Sequence, residues 1–272
     1  MRVGPDGIWR ATRTPDGLVS MHLASSGNEI RVRAWGPGAG WAVDAAPELV
    51  GCHDIDDDFR PQHPLLRELH RRLPGLRIAR SRAVVEAAVP SIIEQKVVGQ
   101  EARRSYTLLV RRFGERAPGP AGDAGMLVPA CPRVLAATPY WTFHRLGVER
   151  RRADTVRRVA AVASRLEAAA TMPAADGRRR LRAVQGVGQW TAAEVAIVAL
   201  GDADAVSVGD YHLPHQVAWA LAGEPRGDDA RMLELLEPYR GHRGRVIRLL
   251  EAGGVTAPRF GPRLPLQSIA AL

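Results

Sequence analysis

The chain has 272 residues, 46% of them hydrophobic, enough for one large domain or two modest ones with separate cores. Its formal net charge of +9 points to a polyanionic partner; no apolar run approaches the roughly 20 residues that span a bilayer, and residues 1–14 lack the apolar core of a signal peptide, so no membrane partner is expected and the chain is placed in the cytoplasm, at the nucleoid. Two cysteines, Cys52 and Cys131, are too few for a four-cysteine iron–sulfur cluster or a disulfide framework.

From Ile8 to about Val50, short apolar runs are broken by turn signals at Pro15-Asp16-Gly17, Ser26-Gly27-Asn28 and Gly36-Pro37-Gly38. Leu18 to Leu23 and Glu29 to Trp35 alternate apolar and polar residues, as half-buried antiparallel strands do. Residues 1–58 therefore read as a small antiparallel β-rich domain, ended by the acidic run Asp54 to Asp58, a solvated connector rather than a metal loop.

Beyond Pro61 the period lengthens to that of amphipathic helices, over Pro64 to Leu73, Arg82 to Val98, Gln100 to Phe113 and Arg151 to Ala170. Pro90 should kink its helix or start a new one. Ala117 to Pro132, rich in Gly, Pro and Ala, reads as a surface loop. Residues 59–254 form a mostly helical region, and residues 255–272, with Pro258, Pro262 and Pro265, form an extended tail.

The segment Leu181 to Ala192 carries the first chemical signal. Leu181 and Val184 close one helix, Gly186 and Gly188 permit a tight hairpin, and Trp190 to Leu200 opens a second helix. Such a hairpin points backbone N–H groups and a helix N-terminus at one spot, which suits a phosphate and requires no base identity. Further on, Val206 to Val208 makes a strand-like approach to Asp210, and a new helix begins near Leu213 with Pro214 in its first turn. Alone, Asp210 reads as a helix cap. With the hairpin upstream it becomes a candidate catalytic carboxylate. His212 and His215 beside it have untidy spacing for a metal, and none is expected.

Together, Val184-Gln185-Gly186-Val187-Gly188-Gln189-Trp190-Thr191-Ala192 and Val208-Gly209-Asp210-Tyr211 closely resemble the helix-hairpin-helix (HhH-GPD) DNA glycosylases, in particular the DNA-3-methyladenine glycosylase II, or alkylpurine, branch. The resemblance extends loosely over residues 61–250. It implies an α+β chain: a two-lobed helical glycosylase fold behind an N-terminal β-rich domain, with the active site in the cleft between the lobes. It also implies a monomer acting on double-stranded DNA with damaged bases. Asp210 would be the catalytic carboxylate. Gly186, Val187, Gly188, Gln189 and Thr191 would grip DNA, and Trp190, Tyr211 and Glu194 would line the base pocket. No cofactor is required, although the family allows a monovalent cation on the hairpin carbonyls.

Cleavage of an N-glycosidic bond develops oxocarbenium character on the sugar, which a buried anion beside C1′ stabilises. Lyase-type members carry a lysine at the position of Trp190, so the resemblance implies a monofunctional hydrolase. Trp190 could instead stack on an extruded base, with Tyr211, or pack under the hairpin; the two roles are compatible. Ile93 to Val98 matches the segment where relatives carry a glutamine, here Gln95, and a wedge that fills the gap left by the flipped nucleotide. Lys96 stands at the wedge position, where many relatives are apolar, and is the sole lysine among 38 basic residues. It could reach a phosphate or be a solvated helix residue. Glu194 replaces an aromatic of alkylpurine relatives: an acid there could pair with an arginine, read a base edge, attract a cationic base, or face outward. Pro238 to Arg245, basic with one aromatic, matches the start of the family's C-terminal helix. A glycosylase for another lesion and a non-catalytic DNA-binding module are the rival functions.

Overall fold

The computed structural model describes residues 1–258; most of the expected C-terminal tail, residues 259–272, lies outside the described residues. The chain opens with β1 (Arg2–Gly4), β2 (Gly7–Thr14), β3 (Gly17–Ser26) and β4 (Glu29–Trp35), an antiparallel meander in the order β1-β2-β3-β4. The alternation in β3 has the expected meaning on one face: Val19, Met21 and Leu23 are buried there with Ala42 and Ala46, from the short helices Ala39–Asp44 and Ala46–Leu49.

The other face is not open. Ala11 of β2 packs with Ala117, Ala121, Met126 and Val128, and the Ser20 hydroxyl donates to the Pro118 carbonyl at 2.6 Å. Ala117 to Val128, expected as a surface loop, is therefore half of this unit's core. Its Gly and Ala content marks close backbone approach to the sheet rather than exposure.

The helical region has two hydrophobic cores. The first gathers Ile78, much of Val84–Ile93 and Arg150–Ala161, the two hairpin helices through Leu181, Ala192 and Val195, and Ala205 in the segment beyond them. The second gathers Phe59, Leu66 and Leu69 from the front of the region with Val206, Leu213, Val217, Met232, Leu236 and Val246 from its rear. The chain thus enters the second lobe, leaves it between Leu76 and Ile78, and returns between Ala205 and Val206, just upstream of Asp210.

Pro90 does not start a new helix; Val84–Ile93 runs through it. The helix keeps its place because Glu167 accepts the Val84 and Val85 N–H groups (both 2.9 Å) at one end and buried Arg152 donates Nη1 to the Ile93 carbonyl (2.7 Å) at the other. The acidic run is not a solvated connector throughout: Asp54 accepts two bonds from Arg245 (2.6 and 2.8 Å), with both side chains buried, while Asp58 pairs with His242. Val206 to Val208 forms no strand. Val208 N–H closes a three-residue turn on the Val206 carbonyl (2.9 Å), and the apolar alternation reflects valines entering the second core across that turn.

Candidate active site

The hairpin lies between the helices Ala174–Arg182 and Gln189–Val195, the latter continuing as a π-helical turn over Ala196–Leu200. Gly186 has φ of +97°, and a Cβ there would fall 2.2 Å from the Thr155 hydroxyl oxygen, so no side chain fits. Val187 is buried and pins the turn to the first core. A Cβ on Gly188 would meet nothing within 4 Å, which leaves its backbone open to a ligand beside the helix-start N–H groups, which have no intrahelical partner.

Gln95 joins this hairpin to the turn ending Val84–Ile93: its Nε2 donates to the Gly186 carbonyl (3.1 Å) and to the Thr191 hydroxyl (2.8 Å). Its neighbour Lys96 is exposed at the tip of that turn with φ of +57°, a backbone state that a lysine seldom adopts. Arg152 closes the helix end behind it. Sequence reasoning missed Arg152, which stands in a run of three arginines; only its helical phase with Ala153 and Val156 marks it as inward.

Asp210 stands where the chain has just re-entered the second lobe. Its Oδ2 accepts from Trp190 Nε1 (3.1 Å), and its Oδ1 accepts from the backbone N–H groups of His212 (2.8 Å) and Leu213 (2.9 Å) at the start of the helix Leu213–Ala222. The capping role is therefore real, and it leaves the carboxylate fixed rather than swinging. Asp229 holds the preceding Gly209 N–H through both carboxylate oxygens (3.1 Å each).

Beside Asp210 is a cavity of about 120 Å³ whose lining includes Glu194, Ser207, Leu213 and Arg248. Ser207 donates its hydroxyl to Glu194. Burial pushes the Glu194 carboxyl above the ordinary range, Asp210 and Glu251 add to that, and Ser207 and Arg248 oppose it. Glu94, at the end of Val84–Ile93, is also raised, first by burial and then by the charge of Glu194, with Arg103 opposing. Ser207 was not legible in sequence, since nothing distinguishes it from any loop serine.

The structure thus brings Trp190, Glu194 and Asp210 together, with Gln95 tied to the hairpin and Lys96 exposed beside it. It leaves Tyr211 outside: that side chain is 77% exposed and packs edge-on against the rings of His212 (4.9 Å) and His215 (6.3 Å). The basic stretch Pro238 to Arg245 is largely spent on ion pairs, Arg240 with Glu237, Arg243 with Asp204 and Arg245 with Asp54. Among the described residues no group of three His, Cys, Asp or Glu could hold a metal ion. The hairpin carbonyls do not fit a monovalent cation well as arranged: that of Gly186 accepts from Gln95, that of Val184 from the Val187 N–H, and that of Gln185 from the Arg158 guanidinium (3.4 Å), which already brings positive charge there. No helix among the described residues is long and apolar enough to cross a membrane.

No protein-family model matches the chain. Two curated proteins from strains of Mycobacterium tuberculosis, each described as a probable bifunctional transcriptional activator/DNA repair enzyme AlkA, are 28% identical over 209 residues, 66% of this chain. The chain matches 41% of the length of these relatives. Among solved structures, a 3-methyladenine DNA glycosylase from Archaeoglobus fulgidus superposes with a TM-score of 0.76 at 20% identity, covering 91% of this chain and 87% of that one. An 8-oxoguanine glycosylase/lyase from Clostridium acetobutylicum, in complex with double-stranded DNA, superposes with a TM-score of 0.66 at 14% identity, covering 91% and 89%. The chain has the α+β fold of the helix-hairpin-helix DNA glycosylases and resembles the 3-methyladenine branch of that superfamily.

Proposed function

We propose that the chain is a monofunctional DNA glycosylase that hydrolyses the N-glycosidic bond of an alkylated base extruded from duplex DNA. The observation that carries this reading is the Asp210 carboxylate, held by Trp190 and two backbone N–H groups at the edge of a cavity, one helix away from the hairpin. The similarity to a DNA repair enzyme and to a 3-methyladenine glycosylase supports the same class of substrate.

In this reading the backbone at Gly188 and the following helix start bind a phosphate, and the Gln95-Lys96 turn fills the space that the extruded nucleotide leaves. As the bond from C1′ to the base nitrogen breaks, its electron pair leaves with the base and positive charge spreads over the sugar. Asp210 opposes that charge and takes a proton from the water whose oxygen bonds to C1′. Base and abasic sugar are the products. Trp190 bears no amine, so the chemistry stops at hydrolysis.

The test is incubation of the protein with methylated duplex DNA, chromatography of released bases, and mild alkali to cut at abasic sites. Released methylated purine with alkali-dependent cutting is expected, with no borohydride-trapped adduct. Intact DNA would reject the enzymatic reading in favour of a binding module; abundant trapped adduct would reject monofunctional hydrolysis.

A further inference from the structure

The cavity beside Asp210 holds more acid than hydrolysis requires. Its lining includes three carboxylates, Glu194, Asp210 and Glu251, and one arginine, Arg248. Arg248 donates to Glu251 at 2.7 Å, so that pair largely cancels. Asp210 is committed to three N–H donors. Glu194 is left with a neutral partner, the Ser207 hydroxyl, and no ion pair among the described residues. In the same lobe, at the end of Val84–Ile93, Glu94 has a second carboxyl that feels the charge of Glu194, and it too has no ion pair among the described residues.

A carboxylate enclosed without a counter-charge is costly, and the cost vanishes when a cation arrives. An aromatic residue at this place would recognise a base by its π face; an acid recognises charge and N–H donors.

We propose that Glu194 is the specificity-determining residue of the cavity: it supplies the counter-charge for the positively charged ring of an N-alkylated purine, and so admits bases by charge. This rests on the glycosylase reading above. A neutral base leaves the Glu194 carboxylate enclosed without a counter-charge, so discrimination falls on the neutral lesion. The base also sheds its positive charge as the glycosidic bond breaks, so Glu194 stabilises the bound substrate more than the transition state. Its contribution therefore belongs in KM rather than kcat.

The experiment uses the full chain and two duplexes, one with a single 7-methylguanine, whose ring is cationic, and one with a single hypoxanthine, which is neutral. Glu194→Gln keeps shape and removes charge; Glu194→Asp keeps charge and serves if the first variant folds poorly. For 7-methylguanine, Glu194→Gln should raise KM by about 10- to 100-fold, the range of a hydrogen bond to a charged group, with kcat equal or higher. Its activity on hypoxanthine should hold or rise, and Glu194→Asp should keep part of the preference for the cation. A kcat loss of equal size on both lesions, an unchanged KM for 7-methylguanine, or wild-type activity on hypoxanthine alone would overturn the role of Glu194 while the glycosylase reading stood. Failure of the wild type to release either base, or any methylated purine, would remove the glycosylase reading and this assignment with it.

Discussion

The indole N–H of Trp190 donates to the carboxylate of Asp210 across 3.1 Å. One partner stands in the first turn of the helix Gln189–Val195; the other accepts from the first N–H of the helix Leu213–Ala222 in the opposite lobe. The bond therefore spans the junction of the two cores, so in the proposed reading a DNA strand bound at Gly188 would be held at a fixed offset from the carboxylate. Effective catalysis by a positioned charge depends on such fixed offsets, because misplacement by about 1 Å can cost 10²-fold in rate.

Asp210→Asn tests the charge separately from the scaffold. Asparagine keeps an oxygen for the His212 and Leu213 N–H groups and caps a helix as well as aspartate does, but its amide nitrogen then faces the Trp190 N–H and that bond is lost, so stability should fall by about 1–3 kcal/mol while DNA affinity is nearly unchanged. Single-turnover base release should fall by about 10²- to 10³-fold or more. Equal losses of affinity, measured by anisotropy with labelled duplex, would make Asp210 a structural residue.

Lys96 offers a separable test, since its backbone is strained independently of its side chain's contacts. A non-glycine residue in the left-handed region costs about 1–2 kcal/mol, and the turn holds Lys96 there because Gln95 is bonded to the hairpin and Arg152 to the Ile93 carbonyl. Lys96→Gly should therefore raise Tm, by about 2–4 °C for each kcal/mol relieved in a chain of this size. It should also weaken DNA binding and flatten the salt dependence of affinity by about one counterion. A variant that is more stable yet binds DNA as well as the wild type, with the same salt slope, would remove Lys96 from the interface.

Much of this site was legible because its elements are local. Gly186 and Gly188 announce a hairpin, and Asp210 followed by Pro214 announces a helix start, since both signals come from backbone chemistry within a few residues. Features made by distant contacts were not legible. Ser207 reaches Glu194, Arg152 reaches Ile93, and Arg245 reaches Asp54 only after both lobes have closed. Composition misled at two places for one reason: Gly- and Ala-rich Ala117 to Val128 and acid-rich Asp54 to Asp58 both look like exposed connectors until a partner surface arrives.

That partner surface gives the next prediction. The Asp54–Arg245 pair is bidentate, with side chains 5% and 1% exposed, and it fastens the connector to the helix Arg243–Ala252 of the second lobe. Removing one member strands a buried charge, at a cost of about 3–5 kcal/mol. Arg245→Ala and Asp54→Ala should each lower denaturant stability by that amount. The double variant should lose less than the sum of the two, because neither charge is then left alone. Additive losses would mean that the two residues do not depend on each other.

Glu194 should also show itself in stability without any DNA present. Burial, reinforced by Asp210 and Glu251, makes its carboxyl hold a proton more tightly in the folded chain than in the unfolded one, so ionisation opposes folding. The opposition is absent below the ordinary glutamate value of about 4.3, and it grows as pH rises until the folded carboxyl has titrated. Between those two points a single such group removes stability at up to about 1.4 kcal/mol per pH unit. Glutamine cannot ionise and escapes this loss. Glu194→Gln should therefore melt higher than the wild type at pH 7 to 8, with the gap closing towards pH 4. Burial raises Glu167 as well, but it is unchanged in the two proteins and cancels in the difference, whereas Glu94, raised partly by the charge of Glu194, is relieved in the variant and widens the gap in the same direction. A gap that stays constant with pH would assign the gain to packing; one that widens on acidification would mean that Glu194 is ionised and stabilised in the free protein, with a cation already at hand.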